Sequence, residues 1–325
     1  MKCFEFKSRL APQMAAYLQQ RQKNGFKVRN HGIYMQEFDQ MVLELADTDH
    51  ITKGAFDQWD SIKPYLTNRT KIARHNIIRS FAKYMFARDG ISYVPDTSTL
   101  KSTSAFSPYI FTKVEIHRLI SASDNLAMRN NAPARHLVIP TVLRMLYSCG
   151  FRINELLELK IRDVDFENGT VMIRHAKGGK DRIVPMHDSM LAYLKKYREQ
   201  LVDKSDDEWL FKSPYGHYSR NTIYENFREL LFLAGIKHRG RGHGPRVHDL
   251  RHTYAVHSLE SQLTDGYSPM EILPRLAAYM GHCDYRATCV YLHLTAEIFP
   301  ELTNQIEAAY STIIPALGGV PYAED

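Results

Sequence analysis

The sequence predicts a mainly α protein with one small antiparallel β-sheet, built as a helical N-terminal domain followed by a mixed α/β domain. Apolar residues recur at three- and four-residue spacing through most of the chain, which is typical of amphipathic helices. Residues 91–108 lack this period and are rich in Ser, Thr and Pro, which indicates a linker. Two short strand-like segments joined by Asn-Gly and Gly-Gly turns interrupt the helices in the second half only.

The composition narrows the class of protein. The 325 residues are enough for two domains, and 44% hydrophobic with 24% charged residues is ordinary for a globular chain. There is no apolar run of membrane-spanning length, and the first residues lack the apolar segment of a signal peptide. The four cysteines fit neither a zinc-site spacing nor a disulfide framework. We therefore expect a reduced, cytoplasmic protein with no metal, no cofactor and no membrane contact.

The N-terminal domain, residues 1–95, is predicted to hold four helices, at 11–24, 31–47, 53–66 and 68–88. The fourth helix has one apolar face and a basic remainder that could lie along a phosphate backbone. A solvated helix face is the equally weighted alternative. The candidate DNA-binding residues on it are Arg69, Lys71, Arg74 and Arg79. A linker at 96–108 then leads to the second domain.

The second domain, residues 109–295, opens with a capping box from Thr112 to Glu115, and Gly150 ends an apolar helix at 134–148. A helix at 152–159 precedes strands within 163–174 and 181–186, with turns at 168–169 and 178–179. Ser268, Pro269 and Glu271 form a second capping box. The remaining helices are expected at about 188–202, 219–234, 248–262, 269–280, 285–292 and 297–309.

Charge is unevenly distributed. The net charge is +6, and residues 1–105 hold 16 Lys and Arg against 10 Asp and Glu. Residues 296–325 hold five acidic residues and no Lys or Arg, which suggests a tail that contacts protein. The basic, glycine-rich loop with Arg239, Arg241 and Arg246 is a candidate contact to phosphate or minor groove, and a flexible solvated loop is equally plausible. A basic surface permits a polyanionic partner without proving one.

A set of polar residues in the second domain suits attack on a phosphodiester. Such a reaction needs a nucleophile, a proton donor for the leaving oxygen and positive charge at the phosphorus. Tyr291 could be the nucleophile and form a covalent intermediate, and Lys177 could protonate the leaving oxygen. Arg152 and Arg251 could hold the phosphate oxygens. His248 and His282, the two histidines of the set, could bond the phosphate or relay the tyrosine proton.

Each of these residues also has an ordinary structural interpretation. Tyr291 could be core packing, and Arg152 could form an intrahelical ion pair with Glu155. His248 and Arg251 could be a surface pair on one helix face. The functional interpretation is favoured because the four segments occur together, each in a suitable helix, hairpin or loop.

Four motifs in residues 108–295 resemble the tyrosine recombinases, the family of phage integrases and Xer-like enzymes. They are Tyr-Ser-Cys-Gly-Phe-Arg-Ile-Asn-Glu-Leu at 147–156, Lys-Gly-Gly-Lys-Asp-Arg-Ile-Val-Pro at 177–185, His-Asp-Leu-Arg-His-Thr-Tyr-Ala at 248–255, and Met-Gly-His at 280–282 with a tyrosine nine residues after the histidine. The N-terminal domain is similar to the family's core-binding domain in size, helicity and position only.

The resemblance implies a site-specific recombinase that cuts and rejoins duplex DNA through a 3′-phosphotyrosyl link to Tyr291. Lys177 would be the general acid, Glu155 would support the site, and the two arginines and two histidines would cradle the phosphate. It further implies inverted-repeat core sites, a homo-tetramer on two such sites with possible related subunits, and roles in mobile-element integration or excision or in dimer resolution. The tail, with Ile298, Phe299, Leu302 and Ile306, would dock on a neighbouring protomer.

Two alternatives use the same residues. A type IB topoisomerase-like enzyme would relax supercoiled DNA of any sequence as a monomer. A non-catalytic DNA-binding accessory protein would bind without cleavage, and it is disfavoured because every expected catalytic position is occupied.

Overall fold

The computed structural model describes residues 4–45, 48–96, 107–130, 132, 134–174, 181–214, 216–238, 240, 244–282 and 286–302. The chain divides into two compact units, Met1–Phe106 and Ser107–Asp325. Most of the expected linker, residues 97–106, lies outside the described residues.

The first unit is a bundle of four helices: α1 (Ala11–Lys23), α2 (Arg29–Leu45), α3 (Lys53–Ser61) and α4 (Asn68–Asp89). Helix α4 begins at the N-cap Thr67 and ends at Gly90, whose φ of 68° is readily adopted only by glycine. Helix α3 is shorter than the expected 53–66, because Pro64 disfavours helical backbone at the residue before it. The core is made by buried apolar side chains that include Leu10, Met14, Met35, Phe38, Trp59, Ile78 and Phe81.

The second unit is mostly helical. Its first helices are α5 (Lys113–Asp124), α6 (Arg135–Cys149) and α7 (Ile153–Leu157). After the strands come α8 (Asp188–Glu199), α9 (Arg220–Leu233), α10 (Asp249–Thr264), α11 (Pro269–Met280) and α12 (Arg286–Ile298). The capping boxes predicted for α5 and α11 are confirmed, with both reciprocal bonds present in each.

The sheet of the second unit has three antiparallel strands in the order β1–β2–β3. They are β1 (Val164–Asp165), β2 (Thr170–Ile173) and β3 (Arg182–Pro185). Ile173 pairs with Arg182, and the connection that holds Lys177 and the expected Gly-Gly turn, residues 175–180, is outside the described residues. The prediction of a single sheet was wrong, because β4 (Lys212–Ser213) and β5 (Gly216–His217) form a separate two-stranded hairpin.

The C-terminal part differs most from expectation. Helix α12 runs on to Ile298, so Tyr291 is in its middle rather than near the end of a helix at 285–292. A short 3-10 turn, Pro300–Leu302, follows, and residues 283–285 and 303–325 are outside the described residues. Leu302 is only 8% exposed and packs with α10–α12 of its own chain, while the docking of the tail on a neighbouring protomer stays a prediction.

Gly150 joins α6 to the segment that carries Arg152. Its φ is 59°, and a Cβ built there would lie 2.4 Å from the ring of Tyr254 on α10. Glycine is therefore required both for the backbone conformation and for the close approach of α10 to this turn.

We expect Gly150→Ala to destabilise the second unit by about 2–5 kcal/mol, from about 1–2 kcal/mol of left-handed strain and about 1–3 kcal/mol of overpacking. Gly235→Ala is the matched control, because Gly235 has a φ of 65° but a Cβ there would meet only Arg118, at 3.6 Å. Urea denaturation of both variants measures the difference. Equal losses of unfolding free energy would mean that the contact with Tyr254 has no energetic weight.

Candidate active site

Tyr291 has its ring in the core and its hydroxyl in a polar cluster. The residue is only 3% exposed and packs with apolar side chains of α10, α11 and α12. Its hydroxyl lies 3.1 Å from Nδ1 of His252 on α10. The ring of His282 stacks against the phenol ring, with centroids 6.2 Å apart and planes 16° from parallel. The ring of Tyr291 is thus packed in the core, as the structural interpretation predicts, and its hydroxyl reaches the polar cluster, as the functional interpretation predicts.

Arg251 lies in the first turn of α10 and is 2% exposed. Its Nη1 donates to the Gly150 carbonyl at 2.5 Å, and its Nη2 donates to the Met280 carbonyl at 2.6 Å. Burial and the charge of Arg152 lower the pKa of Arg251 to about 10, so it remains charged at neutral pH. The two carbonyls hold the guanidinium at the meeting point of α6, α10 and α11.

The contacts of His282 define its tautomer. Nη2 of Arg251 lies 3.1 Å from His282 Nε2, and an arginine is only a donor, so Nε2 accepts. Nδ1 then carries the proton and donates to the hydroxyl of Thr288 at 2.7 Å. Thr288 is fully buried on α12. This chain of bonds joins the α11 turn to the helix that carries Tyr291.

Arg152 and Glu155 form one ion pair of a larger arrangement. Arg152 Nη1 lies 2.6 Å from Glu155 Oε1, and its Nη2 donates to the Gly281 carbonyl at 3.0 Å. The other carboxylate oxygen of Glu155 lies 2.7 Å from Nη2 of Arg182 on β3. Burial alone would raise the pKa of Glu155, but hydrogen bonds from Arg182 and Arg152 outweigh it and lower the pKa. The carboxylate is therefore ionised between two guanidinium groups.

His248 and His252 lie one helical turn apart and meet edge to face, with ring centroids 4.9 Å apart. His248 is exposed at the start of α10, although neighbouring protein and the charge of Arg251 lower its pKa. His252 is deeper, and burial, His248 and Arg251 lower its pKa to about 3. A neutral His252 next to the phenol has an unprotonated ring nitrogen available as an acceptor.

Opposing effects act on the pKa of Tyr291. Burial raises it, while the charges of Arg251 and Arg152 act in the opposite direction. The net pKa is above the ordinary value, so the phenol keeps its proton at neutral pH. Attack on a phosphorus atom therefore requires an acceptor for this proton.

The structure brings most of the predicted catalytic residues into one cluster. These are Arg152, Glu155, His248, Arg251, His282 and Tyr291. Lys177 lies outside the described residues, so its place in the cluster stays a prediction.

Two residues of the cluster, Arg182 and His252, were not predicted from the sequence. Arg182 lies two residues before the buried Val184 on β3, so both side chains are on the inward face of the strand, where an arginine needs a carboxylate partner. His252 is four residues after His248 on one helix, so both occupy the same face. Strand alternation and helical spacing were thus signals that could have identified them.

One predicted DNA contact is corrected by the structure. Arg74 is 1% exposed, stacks on Trp59 with its Cζ 4.2 Å from the ring centroid, and pairs with Glu37 at 3.2 Å. Its guanidinium belongs to the core of the first unit rather than to the basic surface. The spacing of residues along α4 does not distinguish Arg74 from the other basic residues. It is buried because of a cation–π contact with Trp59, which lies on another helix.

The other candidate DNA-binding residues stay predictions. Arg69 is exposed and Lys71 is partly exposed on α4, while Arg79 donates to the Pro95 carbonyl at 2.9 Å. Arg246 pairs with Asp249 at 2.9 Å and keeps 45% of its side chain exposed. Arg239 and Arg241 lie outside the described residues.

The described part of the chain has neither a metal-ligand cluster nor a membrane-spanning helix. Among those residues, no group of three or more His, Cys, Asp and Glu is placed to hold a metal ion. No helix among them is long and apolar enough to cross a membrane.

Comparison with protein families matches residues 110–297 to the phage integrase family. A tyrosine recombinase of Pseudothermotoga lettingae is 33% identical over 253 residues, which cover 78% of this chain and 80% of that protein.

Solved structures share the fold. The XerH site-specific recombinase bound to palindromic difH substrate, in a post-cleavage complex, aligns with a TM-score of 0.63 and 19% identity, covering 86% of this chain and 80% of that one. A λ integrase dimer bound to a COC′ core site aligns with a TM-score of 0.58 and 18% identity, covering 88% and 77% of the two chains. The predicted fold class, a mainly α protein with a mixed α/β catalytic domain, is confirmed.

The lowered pKa of His252 makes stability depend on pH. Between the ordinary value of 6.5 and about 3, the unfolded state binds a proton at this histidine that the folded state does not. The free energy of unfolding should therefore fall as pH drops below 6.5, by at most about 1.4 kcal/mol per pH unit from this group. We expect His252→Gln to make the fall from pH 6.5 to 5 shallower in urea titrations.

His293→Gln is the control, because His293 is an exposed histidine on α12. If His252→Gln and wild type lost stability equally over this range, His252 would not be held neutral by the fold.

Proposed function

The chain belongs to the phage integrase family, the tyrosine recombinases, and we propose that Tyr291 is the nucleophile with which it cuts DNA. It is a site-specific recombinase, an enzyme that breaks and rejoins DNA strands. The observation that supports the role of Tyr291 most strongly is its hydroxyl, 3.1 Å from a histidine acceptor and under the influence of two arginine charges. The roles of individual residues below are part of the proposal.

In the first step, the Tyr291 oxygen attacks the scissile phosphorus and the bond to the 5′ oxygen breaks. The phenol proton passes to Nδ1 of His252, and the product is a 3′-phosphotyrosyl link. The leaving 5′ oxygen takes a proton and becomes a hydroxyl, and family resemblance assigns this proton to Lys177. Rejoining is the same step in reverse, with a 5′-hydroxyl attacking the phosphotyrosine. Bond energy is kept in the phosphotyrosyl link, so no nucleotide is needed.

DNA itself would prepare His252 for this task. A base with a pKa near 3 is a weak acceptor, and the charge of Arg251 contributes to that low value. A phosphodiester bound beside Arg152 and Arg251 would offset their positive charge and raise the pKa of His252. The histidine would then become a better base only when the substrate is in place.

The arginines would stabilise the charge that develops on the phosphorane. Arg251 is held by two backbone carbonyls and has further N–H groups, since a guanidinium carries five. Arg152 is 23% exposed, and exposed His248 lies near it at the open side of the cluster. These groups are oriented before the phosphate arrives, which lowers the reorganisation needed in the transition state.

Partners follow from family membership. Double-stranded DNA is the substrate, and recombinase subunits act together on it. Inverted-repeat core sites and a tetramer on two such sites, made of this chain alone or together with related subunits, are the finer proposal. The palindromic substrate of XerH supports repeated sites, and the λ integrase dimer supports the joint action of subunits. Integration or excision of a mobile element and resolution of dimers both fit this chemistry, and a cytoplasmic location fits both roles.

The function is tested by trapping the covalent intermediate. Library duplexes with randomised inverted repeats carry a nick just beyond the cleavage position, so the short 5′-hydroxyl fragment dissociates and rejoining stops. We expect a protein–DNA adduct that forms equally in EDTA and is absent with Tyr291→Phe. Tyr197→Phe is the matched control, since Tyr197 is a buried tyrosine whose hydroxyl donates to the Leu210 carbonyl at 2.9 Å.

An adduct formed by Tyr291→Phe would contradict the assigned nucleophile. Relaxation of supercoiled DNA of any sequence, without products joined between two sites, would instead favour a type IB topoisomerase-like enzyme.

The role of His252 has its own prediction. His252→Gln keeps a polar side chain but loses the proton acceptor, so cleavage of the selected duplex at pH 7 should slow by about 10²–10⁴-fold. Raising the pH should recover part of the rate, because the phenol then ionises without help. Single-turnover cleavage rates and DNA binding are measured together, and binding should be unchanged.

His257→Gln is the matched control. His257 is on the same helix and its Nδ1 lies 3.0 Å from another tyrosine hydroxyl, that of Tyr147. If His252→Gln and His257→Gln reduced the cleavage rate equally, the loss of any histidine–tyrosine pair on α10 would explain the effect. His252 would then not be the proton acceptor.

A further inference from the structure

Arg182 occupies the first position of β3 and bonds two other parts of the site. Its Nη2 lies 2.7 Å and its Nη1 3.3 Å from the two carboxylate oxygens of Glu155, which is in the first turn of α7. Its Nε donates to the Tyr279 carbonyl near the end of α11 at 3.0 Å. With 11% of its side chain exposed, this guanidinium is largely withdrawn from solvent. Arg182 therefore ties β3, α7 and α11 together.

The same guanidinium lies against the turn that follows α11. Gly281 has a φ of 67°, and a Cβ built there would lie 2.8–3.0 Å from Nη1, Cζ and Nε of Arg182. The Gly281 carbonyl accepts from Arg152 Nη2 at 3.0 Å. Two arginines thus bond or contact one glycine, and the next residue is His282. A shift of this turn would displace Arg152 and His282 together.

Glu155 alone would not fix Arg152. Oε1 of Glu155 accepts from Arg152 Nη1 at 2.6 Å, while Oε2 accepts from Arg182 Nη2 at 2.7 Å and only at 3.3 Å from the Arg152 backbone N–H. A bidentate partner on the far side orients the carboxylate plane and leaves Oε1 directed at Arg152. It also prevents Glu155 from neutralising Arg152 completely, because one negative charge is shared between two positive ones.

We propose that Arg182 is a positioning residue for DNA cleavage, which sets Arg152 through Glu155 and sets His282 through the Gly281 turn. The inference rests on the proposed function, in which Arg152 and Arg251 stabilise the charge at the scissile phosphorus, and His282 bonds Arg251. Arg182 acts through these neighbours and not on the reacting atoms.

Arg182→Met should slow single-turnover cleavage of the selected duplex by about 10²-fold, the size expected when a reacting geometry shifts by about 1 Å. The dissociation constant for DNA should change less than about twofold, because most affinity comes from other phosphate contacts. Arg182→Lys should recover part of the rate, since an ammonium pairs with Glu155 but does not hold both oxygens. If Arg182→Met fails to fold, the reduced cleavage rate of Arg182→Lys tests the proposal in its place.

Arg144→Met is the matched control. Arg144 makes an equally bidentate pair with Asp124, at 2.8 and 2.7 Å, on α6. It should cleave at the wild-type rate. If Arg144→Met and Arg182→Met slowed cleavage alike, loss of a bidentate pair anywhere would explain the effect and the proposal would be wrong.

A substrate with sulfur in place of the leaving 5′ oxygen separates two routes of action. A thiolate leaves without a proton donor, so this substrate should restore cleavage by Lys177→Ala. Arg182 is close in sequence to Lys177, and acting through that lysine is the rival explanation. We expect Arg182→Met to remain about 10²-fold slower than wild type on the sulfur substrate. Recovery equal to that of Lys177→Ala would overturn the proposal.

The outcome also distinguishes this inference from the proposed function. Failure of wild type to form any adduct would reject both. Adduct formation by wild type, together with wild-type rates for Arg182→Met and Arg182→Lys, would reject only the role of Arg182.

Discussion

The site depends on a single buried carboxylate, that of Glu155, placed between two guanidinium groups. Bringing Arg152, Arg182 and Arg251 into one largely desolvated region would be strongly unfavourable without a counter-charge. Glu155 is 8% exposed and ionised, and it bonds two of the three. One negative charge among three positive ones keeps the cluster folded yet leaves it net positive. That residual charge is what an incoming phosphate would neutralise.

Backbone carbonyls supply the remaining hydrogen-bond acceptors for the three guanidinium groups. The carbonyls of Gly150, Met280 and Gly281 accept from Arg251 or Arg152, and that of Tyr279 accepts from Arg182. Three of these four lie where α11 ends, where helix carbonyls lack intrahelical partners and carry partial negative charge. The end of α11 is thus used as an extended acceptor for cations. Its left-handed glycine lets Arg182 approach the backbone closely.

Much of this was predictable from sequence, because motifs and local signals are short-range. The capping residues of α5 and α11 specify their helices, and the four motifs identified six clustered residues. The environments of Arg74 and Leu302 could not be predicted, because they depend on side chains that are distant in the sequence. Arg74 looked like its basic neighbours on α4, but Trp59 and Glu37 favour its burial. The contact of Leu302 with α10 and α12 of its own chain was likewise not foreseen, and the docking of the tail on a neighbouring protomer stays a prediction.

The position of Tyr291 argues for a nucleophile that is restrained until DNA binds. Its phenol is buried, its pKa is raised, and its neighbour His252 has a pKa near 3, so neither partner favours proton transfer in the absence of substrate. Burial raises the pKa of Tyr291 and lowers that of His252, and the charge of Arg251 lowers both pKa values. A phosphodiester adds negative charge beside Arg152 and Arg251, which raises the basicity of His252 at the moment the phosphorus becomes available. The charge of Arg251, which attracts the phosphate, is therefore also one of the charges that keep His252 a weak base until the phosphate is bound.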